Sequence, residues 1–123
     1  MHGCYGERRC AWLNRTRILV SLHNYSWNPA WIRFLIAAKC GTLVVSEPMN
    51  DEHPMQAGVH YVAATLAEMP EVIGELLDHP EKISRLANAA ANLCNTELTL
   101  LRAVEKICRL IDRPENSPNR NYV

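Results

Sequence analysis

The residues of this chain with the types and positions for polar ligand chemistry are His23 and the pair Ser46-Glu47. His23 follows the run Ile18-Leu19-Val20-Ser21-Leu22, and Ser46-Glu47 closes the run Leu43-Val44-Val45. Both runs read as short strands, so both polar groups fall at a strand's carboxyl end, the rim where ligands sit in a parallel α/β sheet. A neutral imidazole there can donate to a phosphate or a sugar hydroxyl, or act as a base. The competing reading is a histidine hydrogen-bonded within its own loop. A carboxylate there accepts two hydrogen bonds at once and suits the paired hydroxyls of a ribose or hexose; a helix cap or a salt bridge is the alternative. His60 is read as structural, and Asp51 and Glu52 as solvated loop charges. Tyr25, Trp27 and Trp31 could stack a sugar or a base, but such residues more often cover a sheet edge, and that reading is preferred.

These groups must be positioned by the stretch from Ile32 to Val62. An apolar helix runs to Cys40 and ends at Gly41, which tolerates a left-handed cap. Thr42 to Ser46 is an almost unbroken apolar run, the signature of a strand buried on both faces. A polar loop breaks at Glu47-Pro48 and closes at Gly58, and Val59 to Ala63 reads as a further strand. Upstream, Glu7 to Arg15 has helical spacing, Arg17 to Leu22 reads as the first strand, and Asn28-Pro29 suits the start of the central helix. Downstream, Thr65 and Glu68 have capping-box spacing, and a helix follows from Pro70 to about Asp78. Another starts at Pro80 with Ile83, Leu86, Ala87, Ala90 and Leu93 on one side. Thr96 can cap a last helix, with Leu100, Leu101, Val104, Ile107, Cys108 and Ile111 expected to face inward. Strands joined by helical crossovers are most simply parallel. The expected fold is α/β: a short parallel sheet of three strands, Ile18–Leu22, Leu43–Ser46 and Val59–Ala63, with about five helices, over residues 1–112. The polar tail 113–123 is expected to be disordered.

Composition narrows the function classes. The chain has 123 residues, 48% apolar and 21% charged, with 13 basic and 13 acidic residues, so one small soluble domain is expected. No basic cluster exceeds Arg8-Arg9 or Arg15-x-Arg17, so no nucleic-acid partner is expected. No apolar run approaches the ~20 residues of a membrane span, the N-terminus lacks an apolar signal segment, and a cytoplasmic location is the default. Five cysteines without a C-x-x-C pair argue for free thiols rather than a disulfide framework or a zinc site. The five histidines have no metal-ligand spacing. With no Gly-rich phosphate loop, no cofactor is expected.

The order G-x-Y-G-E-R-R, R-I-L-V-S-L-H-N, R-F-L-I-A-A-K-C-G-T-L-V-V-S-E and G-V-H-Y-V resembles the C-terminal, donor-side part of GT-B fold glycosyltransferases. The nearest look is to the group-1-like, spore-maturation-type branch. The matching positions are Gly6-Glu7-Arg8-Arg9, His23, Arg33, Gly41, Ser46-Glu47, Gly58 and Arg102, within residues 3–111. The resemblance implies a partial Rossmann-like domain that helps transfer a sugar from a nucleotide donor to an acceptor hydroxyl. It implies His23, Arg33, Ser46 and Glu47 as donor-binding residues, with Arg33 neutralising phosphate or bracing its helix. Relatives often carry a glutamate where this chain has Ile36, and asparagine where it has Ser21. An N-terminal acceptor domain and the first strands of the donor domain do not fit in this length, so the chain is expected to be a donor-domain fragment inactive alone, marginally folded or self-associating, with Trp12, Trp27 or Trp31 unusually exposed. The alternative is a non-catalytic α/β interaction module that docks on a partner or on a second copy through an open sheet edge.

Overall fold

The centre of the molecule is a strand whose four residues are all buried, β2 (Leu43–Ser46). The computed structural model describes residues 5–23, 31–50 and 52–111. β2 pairs on one side with β1 (Ile18–Ser21) and on the other with β3 (Val62–Ala63), both parallel, in the order β1-β2-β3. Helices α1 (Glu7–Leu13) and α2 (Trp31–Lys39) precede β2, and α3 (Met69–Asp78), α4 (Pro80–Thr96) and α5 (Leu100–Ile111) follow β3. The expected α/β class, with a three-stranded parallel sheet and five helices, is therefore what the described residues adopt.

Alternate β2 residues feed two cores. Val44 packs with Phe34, Ala37 and Ala38 of α2, Tyr61, and Ala90 and Cys94 of α4. Leu43 and Val45 pack with Met69 and Leu76 of α3, and with Ile83, Leu86 and Ala87 of α4. One long helix thus serves both cores, and its alanines let it lie close to each. The entry into β2 is fixed by local chemistry. Gly41, at φ 72°, donates its N–H to the Ala38 carbonyl, and Thr42 N–H reaches the Ala37 carbonyl at 2.9 Å. This is the double bond of a Schellman cap, which needs a residue at positive φ. The buried Thr42 hydroxyl then donates to the Leu13 carbonyl at 2.8 Å, tying the end of α1 to the α2–β2 turn.

Several expectations are corrected. The third strand is not Val59–Ala63 but Val62–Ala63. Gly58 takes φ 77°, and the Val59 and His60 N–H groups both turn back to the Gln56 carbonyl, so residues 56–60 wind into a turn. α5 does not face inward: none of its residues is buried. Leu100 is 81% and Ile111 75% exposed, because no described element packs against the apolar side of α5. Glu52 is not simply solvated; its Oε2 accepts the Ala57 N–H at 3.0 Å. The capping spacing is used differently from a full box: Glu68 Oε2 accepts both the Thr65 N–H and its hydroxyl, and those two bonds, side-chain first, hold the Glu68 carboxyl below its ordinary pKa. Trp12 is 71% exposed, whereas Trp31 is half-buried and meets Phe34 edge-on. Tyr25, Trp27, Asn28, Pro29, Asp51 and the tail 113–123 lie outside the described residues.

The Tyr61 ring is wholly buried and packs edge-on to Phe34, centroids 5.3 Å apart. Its hydroxyl has no acceptor in full hydrogen-bonding geometry. Burial first, then the nearby Glu52 carboxylate, push its pKa up to about 12. A raised folded-state pKa means the native state holds its proton more tightly than the unfolded chain, so stability is kept below the ordinary value of 10 and lost as pH rises towards 12. Urea melts across that range should show a decline in the wild type that Tyr61→Phe lacks. Equal decline in both proteins would assign the alkaline sensitivity to other groups.

Candidate functional site

The parallel register of β1 and β2 decides what meets at the rim. Ser21 pairs with Ser46, so the two strands end level and the residues that follow them are neighbours. His23 N–H donates to Glu47 Oε2 at 2.8 Å. Ser46 Oγ lies 3.1 Å from His23 Nε2. The end of β1 is thereby held to the end of β2 by both the backbone and the ring of one histidine. His23 is bonded across the sheet, not within its own loop, and the Glu47 oxygen serves a strand-end N–H rather than a helix cap. His23 and Glu47 are both half-buried, shielded but reachable.

Arg33 approaches the same rim from α2. Its Nη1 is 3.4 Å from the Leu22 carbonyl, a long contact between exposed groups, so it braces the end of β1 only weakly and its guanidinium stays available. All four predicted residues, His23, Arg33, Ser46 and Glu47, thus fall around the carboxyl ends of β1 and β2. The arrangement offers a carboxylate acceptor, an imidazole, a hydroxyl and a guanidinium at one edge, a set suited to hydroxyls and phosphate oxygens. Among the described residues no three His, Cys, Asp or Glu side chains gather as a metal site.

Two features escape inspection of the sequence for isolated motifs. Ser21 is fully buried and its Oγ has no partner. It sits beside Ser46 in the register, and that placement is visible only once the strands are paired. The second is a broad cleft of about 1090 Å³ between the 53–60 segment and α5, whose walls include His60, Arg102, Lys106 and Arg109. The i, i+4, i+7 spacing of those three basic residues marks one helix side and is a readable signal. His23, Arg33, Ser46 and Glu47 do not line this cleft. His60 holds the turn beside it, its Nδ1 accepting the Gln56 N–H at 3.1 Å, and burial lowers its pKa.

The bond from His23 N–H to a carboxylate is charge-assisted, a kind that contributes about 1.5–3 kcal/mol when intact. Discounted for partial exposure, Glu47→Ala should cost roughly 1–2 kcal/mol in urea unfolding, whereas Glu47→Gln keeps an acceptor oxygen and should cost less. Equal stability of Glu47→Ala and wild type would show that the strand ends are not held by this bond.

Compared with known proteins, the chain matches the model of the family described as glycosyl transferase-like over residues 3–109. Neither a curated protein nor a solved structure matches it. No helix among the described residues is long and apolar enough to cross a membrane. The matched span takes in both strands of the rim, α2, and nearly all of α5. The chain therefore belongs to the glycosyl transferase-like family.

Proposed function

We propose that the chain is the donor-side part of a GT-B glycosyltransferase, of the group-1-like, spore-maturation-type branch, and that its β1–β2 rim binds a nucleotide sugar. The observation that carries this reading is the meeting of His23, Ser46 and Glu47 at the carboxyl ends of adjacent parallel strands, in a chain of the glycosyl transferase-like family. Glu47 accepts hydrogen bonds from paired sugar hydroxyls. The His23 ring, oriented by Ser46, reaches a hydroxyl or a phosphate oxygen. Arg33 balances diphosphate charge. Ile36 supplies no carboxylate from α2, which leaves Glu47 as the acid of the site. In a complete relative this half-sheet helps transfer the sugar to an acceptor hydroxyl, and the chain alone turns over no donor.

A second reading, an interaction module, draws on two other features. Among the described residues the outer edge of β1 is unpaired in the sheet order, with Val20 and Leu22 each nearly half exposed. The apolar side of α5 is bare, with Leu101 69% and Ile107 55% exposed. Either surface can dock a preceding half-domain or a second copy.

Calorimetric titration of the 123-residue chain with uridine, guanosine and cytidine diphosphate sugars separates the two. The donor-site reading expects one of them to bind and Glu47→Ala to weaken it by about tenfold, equivalent to ~1.4 kcal/mol. It also expects no release of nucleoside diphosphate. A stable oligomer in sedimentation that ignores every nucleotide sugar would favour the interaction module.

A further inference from the structure

α1 brings a second reactive group into the molecule, away from the strand-end rim. Cys10 lies on the same side of α1 as Leu13, one turn earlier, and Leu13 is buried against the body. The Thr42 hydroxyl holds that end of the helix, donating to the Leu13 carbonyl at 2.8 Å and lying 3.2 Å from the Thr16 carbonyl. Cys40 stands two residues before Thr42, at the close of α2, where its N–H bonds the Ile36 and Ala37 carbonyls. The Thr42 anchor therefore brings the end of α1 that carries Cys10 to the turn that carries Cys40, and the two thiols are near enough to influence each other. Both are free; Cys10 is exposed and Cys40 partly so. Beside them is Arg9, whose Nε is shielded from solvent and has no acceptor.

We propose that Cys10 and Cys40 form a reversible intramolecular disulfide that staples α1 to the α2–β2 turn, with a low-molecular-weight disulfide such as oxidised glutathione as the oxidant. The exposed Cys10 thiolate attacks one glutathione sulfur. The glutathione S–S bond breaks, one glutathione leaves as thiolate and takes up a proton, and Cys10 carries the other as a mixed disulfide. Cys40 then loses its proton and attacks the Cys10 sulfur, releasing the second glutathione. Two protein thiols are oxidised by two electrons, and one oxidised glutathione becomes two reduced ones. Burial first, and then Cys10, raise the Cys40 pKa, while Arg9 lowers it. This order suits Cys40 as the resolving thiol, which reacts inside the protein rather than with solvent reagents. The Arg9 charge favours the Cys40 thiolate as it forms.

The bridge closes a loop of about 30 residues, from Cys10 to Cys40, that contains β1, His23 and Arg33. A loop of that length constrains the unfolded chain enough to raise Tm by about 10 °C.

The test is to incubate the full chain with oxidised glutathione, block remaining thiols by alkylation, and map peptides without reduction. The expected result is a Cys10–Cys40 linked peptide from monomeric protein, reversed by dithiothreitol. The rise in Tm should be absent from Cys10→Ser and Cys40→Ser and retained in Cys108→Ser. Cys10 is a surface position, so its serine variant keeps the fold and remains a fair control. Stable glutathione adducts on both cysteines without a bridge would overturn the proposal, because thiols that cannot reach disulfide geometry stop at the mixed disulfide. So would bridging only between molecules through Cys108.

Discussion

The structure depends on the burial of β2 between two parallel neighbours. A strand with all four residues out of water can be neither slipped nor flipped cheaply. A shift of one residue would exchange Val44 with Leu43 and Val45 between the two cores they serve. The register with β1 is therefore fixed by side-chain packing on both faces, and it is this register that brings Ser21 level with Ser46. The polar rim is a consequence of apolar packing beneath it. His23 and Glu47 are separated by 24 positions in the chain, yet neither needs a loop to find the other, since each simply follows a strand whose end is already placed.

The same constraint explains what is left open. β2 is satisfied on both sides, but among the described residues β1 is paired on one side only. Val20 and Leu22 on that side of the sheet, and Trp12 on α1, are each exposed apolar residues. α5 adds a helix whose Arg102, Lys106 and Arg109 line a cleft while Leu101, Ile107 and Ile111 meet solvent. Both surfaces could take a further strand or a helix, and both belong to the docking reading proposed above. The rim does not share this openness: its bonds are made within the chain.

How much of this is legible in the sequence varies with the physics of each element. β2 and α4 are, because a continuous apolar run and a 3.6-residue stripe each state their own burial. Gly41 is, because the end of α2 requires positive φ there. The meeting of His23 with Glu47 follows from parallel pairing alone. The partner of the His23 ring does not: Ser46 is reached through the register, a tertiary property. Val59 and His60 have strand-like character, but the Gln56 carbonyl and Gly58 take their N–H groups and their backbone into a turn. The stripe of α5 proves that it has an apolar side; whether these residues supply the cover for that side is not a property of the stripe. Glu52 is one acid among polar neighbours in sequence, and only the fold sets it beside the Ala57 N–H and the Tyr61 hydroxyl.

The level ends of β1 and β2 are proposed as the ligand-binding edge of this glycosyl transferase-like chain. The most direct measurement is nuclear magnetic resonance of the histidine ring nitrogens and backbone amides during titration with a nucleotide sugar. Binding at the strand ends should shift the His23 ring and the Ser46 and Glu47 amides, with little change at Arg102, Lys106 and Arg109. Shifts confined to those basic residues of α5 and to His60, with the His23 ring unmoved, would contradict it and move the ligand to the cleft instead.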